Sequence, residues 1–176
     1  DALARESGVL PLASRLRALR DGMGRALEKA GTLSESVLAR WLGTLGLPAA
    51  LRSEARRQAR AGGWNLRMQI SRLDARLDDE VELACFRVAH EALGNALHHA
   101  HARVVWVGLR AGTAWLNLSV RDDGVGFDAA AIRAPGGHGA SGMAAMARQV
   151  KRLGGRLEIR SVPGAGTTIH AAFPAL

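Results

Sequence analysis

The sequence predicts an α+β protein, a two-layer sandwich in which helices cover one face of a mixed β-sheet, preceded by a short helical segment. Apolar residues recur at helical spacing in residues 10–30 and again in residues 81–96. The second half contains alternating strands, and two pairs of them are joined by short turns that predict hairpins. Hairpins with helices between them are typical of this class. They do not fit a doubly wound dinucleotide fold, in which parallel crossovers dominate.

The N-terminal part is predicted to be helical. A first helix is indicated by five apolar residues at helical spacing, namely Leu12, Leu16, Leu19, Met23 and Leu27. A second, short helix ends near Leu42, and an arginine-rich third helix covers Ala49 to about Ala61. The pair of glycines after it predicts the boundary between a helical segment, residues 1–62, and a domain, residues 63–176.

Strands and helices alternate within the predicted domain. In chain order the elements are a strand at Trp64–Ile70, a helix from about Asp78, a hairpin of Val104–Leu109 and Trp115–Arg121, a helix at Ser141–Leu153, and a hairpin of Arg156–Ser161 and Thr167–Phe173.

The composition indicates a folded domain with a strong positive charge. Hydrophobic residues make up 48% of the 176 residues and the formal net charge is +8, which argues against disorder and favours anionic partners. We interpret the charge as a solvated surface and expect no nucleic-acid partner, because stacking aromatic residues are few. Nucleic-acid binding through the arginines of residues 52–60 is the alternative. No apolar run reaches the roughly 20 residues of a membrane span, so no membrane contact is expected.

The cysteine content and the first residues suggest a cellular setting. Cys85 is the single cysteine and lies on an apolar helical stripe, so we expect a buried thiol in a reducing, cytoplasmic environment. The sequence starts at Asp1 without a signal-like segment. We therefore expect a cytoplasmic piece of a longer protein, whose sensing part or membrane anchor would lie upstream.

The helix in the middle of the chain carries an apolar and a polar stripe. Glu91, Asn95 and His99 follow at intervals of four residues, with His98 beside them. A carboxylate, a carboxamide and imidazoles on one face suggest a site for a metal and phosphates, because amide oxygens are ligands for Mg²⁺. A solvent-exposed polar face explains the same pattern equally well. The apolar stripe, expected to face the sheet, consists of Val81, Cys85, Val88, Ala92 and Ala96.

A tight turn, Asp122–Gly126, follows the strand Trp115–Arg121. Alternation puts the Asp122 carboxylate on the apolar, inward side of this strand, where it needs a polar partner. The exocyclic amine of adenine is such a partner, and Gly124 and Gly126 would let the backbone approach a flat ring. The motif alone is equally typical of an ordinary turn.

A second glycine-rich segment, Gly136–Met143, leads directly into a helix. Backbone amides at such a helix start can bind phosphate oxygens, although neither a Walker P-loop nor a Rossmann fingerprint is present. The small residues before it, Asp128–Pro135, are expected to form a flexible nucleotide lid; an exposed connection is the alternative. Thr167 shares its strand face with apolar residues, so its hydroxyl is expected to point towards the side of Asp122.

These segments resemble the N, G1 and G2 boxes of the GHKL ATPases (gyrase, chaperone, histidine-kinase and mismatch-repair members), which fold as the Bergerat α/β sandwich. The sequences of His90–Ala100, Asp122–Phe127 and Gly137–Met143 are most similar to the corresponding boxes of sensor histidine kinases of the nitrate-sensor type. The resemblance extends from about Leu45 to Leu176.

The resemblance implies that the chain binds ATP and Mg²⁺. By this likeness Asn95 would hold Mg²⁺, Glu91 would be catalytic near the γ-phosphate, Asp122 would bind adenine and Thr167 would support that contact. The remaining residues that would contact the nucleotide or its lid are His98, His99, Gly124, Gly126, Gly137, His138, Gly139, Gly142 and Met143.

The sequence departs from the family at three positions. His98 replaces the usual Lys or Arg and is a weaker phosphate partner when neutral, and Ala140 replaces a leucine of the lid. Residues 19–25 resemble the family's phosphoacceptor box, with Arg20 where the histidine should be, and an always-protonated guanidinium is no nucleophile. The segment lies too close to Leu45 for a full helical hairpin to fit between them, so we favour a coincidence on an ordinary helix over a degenerate box. All six histidines lie between residues 90 and 170, so no acceptor histidine is evident in the sequence.

The resemblance therefore predicts the ATP-binding catalytic portion of a two-component sensor histidine kinase. Its expected partners are the dimerisation helices of the parent kinase, as a homodimer, and a response regulator. Two alternatives remain open: a degenerate, non-catalytic nucleotide-binding or regulatory module, and a GHKL serine kinase of the anti-sigma type.

Overall fold

The computed structural model describes residues 38–40, 42–73, 77–128 and 140–174. The chain divides into two units, Asp1–Arg40 and Trp41–Leu176. Residues 38–40 are helical, and the first predicted helix, in residues 10–30, lies outside the described residues. The predicted division into residues 1–62 and 63–176 stays a prediction.

The described part of the second unit contains three longer helices and five strands. In chain order they are α1 (Leu47–Gly62), β1 (Asn65–Ile70), α2 (Asp79–Asn95), β2 (Val104–Ala111), β3 (Trp115–Asp122), α3 (Ala140–Arg152), β4 (Arg156–Ser161) and β5 (Thr167–Pro174). Each domain element predicted from the sequence is present, with its ends displaced by at most two residues. None of the helices in the described residues is both long and apolar enough to cross a membrane.

Local chemistry explains where α1 and α2 begin and end. Proline in the first turn of α1 costs no helical hydrogen bond. Gly63 ends α1 in the left-handed conformation, at φ 67°, and its amide donates to the carbonyl of Ala59. At the start of α2 the Asp78 carboxylate accepts from the Glu80 amide across 2.7 Å, which is an N-cap.

The five strands form one mixed sheet in the order β1-β2-β3-β5-β4. β1 pairs with β2 in parallel, whereas the other three pairs are antiparallel. The two predicted hairpins are β2–β3 and β4–β5, and the single parallel pair agrees with the exclusion of a doubly wound fold.

The core lies between one face of the sheet and the helices, which is the predicted α+β sandwich. All five residues of the predicted apolar stripe of α2, including Cys85, are buried, and burial raises the pKa of that thiol. Facing them are large apolar side chains of three neighbouring strands, each contributing about 1.5–3 kcal/mol by its burial. Among these are Val105, Val107, Leu109, Leu116, Leu118 and Phe173.

The opposite face of the sheet carries exposed arginines. The guanidinium carbons of Arg67 and Arg121 lie 5.9 Å and 5.0 Å from the ring centroid of Trp106. Part of the positive charge of the chain therefore lies on this exposed face.

Candidate nucleotide-binding site

A cavity of about 460 Å³ opens between α2 and the inner face of the sheet. This volume falls within the range of small-molecule sites, about 300–1,000 Å³. The cavity brings together eight of the site residues predicted from the sequence: Glu91, Asn95, His99, Asp122, Gly126, Gly142, Met143 and Thr167.

The other predicted residues lie elsewhere. His98 is exposed and is not part of the cavity wall. Gly124 is buried behind the wall, where a Cβ would overlap the carbonyl group of Ala100. Gly137, His138 and Gly139 lie outside the described residues, as does most of the predicted lid.

The Asp122 carboxylate lies at the apolar end of the cavity. It is 6% exposed, and burial raises its pKa, although hydrogen bonds from the amides of Gly124 and Thr167 oppose the rise. Those amides donate to the same oxygen, Oδ1, across 2.9 Å and 3.3 Å. Since both bonds end on Oδ1, Oδ2 can accept a hydrogen bond from a ligand. The neighbouring walls, formed by Val120 and Ile169, suit a flat apolar ring.

The hydroxyl of Ser161 connects the loop after β3 to the start of β5 at this end of the cavity. The sequence did not predict this role. The Ser161 hydroxyl accepts from the Phe127 amide across 2.9 Å and donates to the Gly166 carbonyl across 3.0 Å. It also lies 3.0 Å from Oγ1 of Thr167. A serine at the end of a strand is too common to be recognised as such a junction. The only signal was its position opposite Thr167 across the predicted hairpin turn.

The loop after β3 is held by neighbouring backbone groups. The Val125 amide donates to the carbonyl of Ala100 across 2.8 Å, and the Val125 carbonyl accepts from Gly164 across 2.6 Å. Gly126 has a φ of 60°, and a Cβ there would overlap the Val162 carbonyl. Glycine is therefore required at position 126 both for its backbone conformation and for this close approach.

The polar end of the cavity is formed by α2 and the start of α3. Gly142 lies so close to Glu91 that a Cβ would overlap the carboxylate oxygen Oε1. Gly142 and Met143 both line the cavity within the first turn of α3, as predicted for a helix start near a phosphate. A carboxylate, an amide and helix-terminal N–H groups thus surround the same space.

A π-helical turn follows α2, which the sequence did not predict. It covers Ala96–Ala100 and ends at His101, whose φ is 50°. His101 is the sole non-glycine residue with positive φ in the described part of the chain. Such turns are frequent at functional sites. This one places the Ala100 carbonyl where it accepts from the loop after β3.

Comparison with known families agrees with this geometry. Residues 80–176, more than half of the chain, match the family described as histidine kinase-, DNA gyrase B- and HSP90-like ATPases. A histidine kinase domain from Erythrobacter litoralis has a similar fold, with a TM-score of 0.64 at 21% identity over 94% of this chain and 86% of that one.

The chain is also similar to curated sensor histidine kinases. An uncharacterized sensor-like histidine kinase of Chloroflexus aurantiacus is 36% identical over 76% of this chain and 23% of its own length. The oxygen sensor histidine kinase NreB of Staphylococcus carnosus is 30% identical over 86% of this chain and 43% of its own length. The chain thus spans less than half of either relative. It belongs to the histidine kinase-, DNA gyrase B- and HSP90-like ATPase family.

Proposed function

We propose that the cavity binds Mg·ATP and presents the γ-phosphate to a histidine on a dimerisation helix of the parent kinase. The observation that carries the proposal is Asp122, a buried carboxylate whose Oδ1 is held by two backbone amides. The exocyclic amine of adenine would donate to Oδ2 and provide the polar partner that this buried group needs. Val120 and Ile169 would contact the ring.

The phosphates would extend towards α2 and the start of α3. Amides at the N-terminal end of α3 favour anionic oxygens, and Gly142 keeps the approach open. Glu91 would lie near the γ-phosphate and orient the attacking group. His98 and His99 remain predicted phosphate contacts, although only His99 lines the cavity.

The donor set of the cavity fits Mg²⁺. The Asn95 side chain offers a neutral oxygen, and a hard cation that keeps several waters needs few protein ligands. When bound, the ion would neutralise phosphate charge. The protein contributes mainly positioning and electrostatic stabilisation, which phosphoryl transfer requires.

The acceptor and partners of the parent protein are part of the same proposal. The histidine would come from a dimerisation helix in a homodimeric cytoplasmic kinase, and a response regulator would take the phosphoryl group from it. Relatives named as sensor histidine kinases support this assignment. The six histidines of this sequence lie between residues 90 and 170, so the acceptor would come from another part of the parent kinase.

Calorimetric titration with a non-hydrolysable ATP analogue tests the proposal. We expect Asp122→Asn to raise Kd about tenfold to a hundredfold, which corresponds to one hydrogen bond to a charged group. Asp123→Asn is the matched control: it makes the same chemical change at an exposed neighbour, and its Oδ1 can still accept from the amides of Arg103 and Val104. Failure of the wild-type protein to bind the analogue at millimolar concentration would refute the proposal. Binding without phosphoryl transfer to an added dimerisation segment would favour a regulatory module.

A further inference from the structure

A buried carboxylate outside the cavity joins α1 to α2. Glu54 is 7% exposed on α1, and its Oε1 lies 2.8 Å from Nδ1 of His90 on α2. Arg57 donates to both carboxylate oxygens, and Nε2 of Gln58 donates to Oε1 across 3.0 Å. Three side chains thus hold one carboxylate, and only the bond to His90 crosses between the helices.

The position of His90 gives this bond its significance. His90 precedes Glu91 on α2, and successive helical residues point about 100° apart. The imidazole can therefore face α1 while the Glu91 carboxylate faces the cavity. A ring fixed to α1 restrains the rotation and the axial position of α2. Because the helix is stiff, the same restraint fixes Glu91 and, one turn further on, Asn95.

Glu54, Arg57, Gln58 and His90 form a polar cluster, called here the Glu54 cluster. If its only role were to stabilise the contact between α1 and α2, this cluster would be an inefficient choice. Burying a carboxylate carries a desolvation penalty, and apolar side chains of similar size serve as well or better. Gln58 adds to the cost, because its Oε1 is buried without a hydrogen-bond partner among the described residues. What the cluster provides, and apolar packing does not, is a directional bond that fixes α2 in one register.

We propose that Glu54 is a positioning residue for the nucleotide site: through His90 it sets the placement of α2, and with it the oxygen donors that face the phosphates and Mg²⁺. This inference rests on the proposed function. It assigns the Glu54 cluster to the phosphate end of the cavity, which α2 forms, and not to the adenine end, which the strands and Asp122 form.

The test compares two nucleotide affinities of the same protein. ADP is titrated calorimetrically with and without Mg²⁺, on the wild type, Glu54→Gln and His90→Gln. The measured quantity is the factor by which Mg²⁺ increases the ADP affinity. We expect this factor to be about tenfold smaller in each variant than in the wild type, as is typical when a group supporting a metal ligand is removed. The Mg²⁺-free affinity should change less than about twofold, because the polar contact at the adenine end is made by Asp122 on β3 and not by Glu91 or Asn95. The double variant should show the same decrease in this Mg²⁺ effect as either single variant, because both substitutions break the same Glu54–His90 bond.

Controls separate this mechanism from general destabilisation. Glu158→Gln removes an exposed carboxylate paired with Arg160 and should leave both affinities unchanged. His90 is half-exposed, so His90→Gln gives a folded protein even if Glu54→Gln does not. An unchanged Mg²⁺ effect in both variants, or an equal loss with and without Mg²⁺, would overturn the inference. A wild type that binds no ADP under either condition would instead refute the proposed function.

Discussion

The amide of Thr167 donates to Oδ1 of Asp122 across 3.3 Å and so connects two strands through residues 45 positions apart. Since Gly124 donates to the same oxygen, the hydrogen bonds that orient the carboxylate within the described residues come from backbone groups. Its orientation therefore depends on the loop and the hairpin turn that carry those amides. The hydroxyl of Thr167 contributes only indirectly, through Ser161.

Ser161 should matter more for stability than Thr167. Ser161→Ala leaves the Phe127 amide without its partner and should lower the free energy of unfolding by about 1–3 kcal/mol. Thr167→Val preserves the amide bond to Asp122 and should cost only about 0.5–1.5 kcal/mol. Urea unfolding of both variants provides the comparison. Equal losses, or a larger loss for Thr167→Val, would show that Ser161 is not the junction.

Gly126 should tolerate alanine less well than Gly164, although both have positive φ, 60° and 81°. At Gly164 a Cβ meets nothing within 4 Å, so the cost is backbone strain alone, about 1–3 kcal/mol. At Gly126 the Cβ also overlaps the Val162 carbonyl, which adds to that cost and displaces the loop. The unfolding temperature and the ADP affinity should both decrease more in Gly126→Ala than in Gly164→Ala, as measured by thermal unfolding and by ADP titration. Indistinguishable variants would contradict the close approach.

Gly142→Ala should disturb the cavity without unfolding the protein. The added methyl group would push against the Glu91 carboxylate, a flexible side chain, and should weaken ATP-analogue binding in Mg²⁺ by about tenfold. Gly94→Ala is the matched control on α2, because a Cβ there meets nothing within 4 Å and alanine favours the helix by up to about 1 kcal/mol. We expect it to raise the unfolding temperature and leave binding unchanged. Equal binding by the two variants would contradict the proposed path of the phosphates.

Periodicity predicted those parts of the site that lie on regular elements. Alternation along β3 placed Asp122 on the inward face, and helical spacing placed Glu91 and Asn95 on one stripe, because side-chain direction follows directly from the repeat. The π-helical turn at Ala96–Ala100 shifts the hydrogen-bond register locally, and no residue spacing encodes such a shift. Ser161 acts through contacts with two separate segments, at Phe127 and at Gly166 and Thr167, so its role depends on the assembled fold.

The Glu54–His90 bond likewise could not be predicted. The two residues lie 36 positions apart on different helices, and their meeting depends on how α1 packs against α2. In the sequence Glu54 is one charged residue among several in an arginine-rich helix that was expected to be solvated. Its burial became evident only from the packing of that helix.

The stability contributed by this bond should depend on pH. The hydrogen bond with Glu54 raises the pKa of His90 above its ordinary 6.5, against burial and the charge of Arg57, while Glu91 adds to the rise. For Glu54, burial raises the pKa, but the bonds with His90, Arg57 and Gln58 outweigh it and hold the pKa well below its ordinary value. Glu54 therefore stays charged near neutral pH, and its contribution is lost progressively as the pH falls from its ordinary pKa of 4.5 through its lowered folded pKa. The contribution of protonated His90 is complete below pH 6.5 and is lost as pH rises through its folded pKa.

The free-energy difference between the wild type and Glu54→Gln should thus be largest just below pH 6.5 and shrink as the pH rises through the folded pKa of His90. Urea unfolding at several pH values measures this difference, and NMR titration of the imidazole gives the His90 pKa directly. In Glu54→Gln that pKa should fall, because the carboxylate that stabilises the imidazolium is gone while burial and Arg57 remain. Glu158→Gln should leave it unchanged. A difference that grows with pH, or a His90 pKa that does not respond to Glu54→Gln, would be incompatible with a charged bond between these helices.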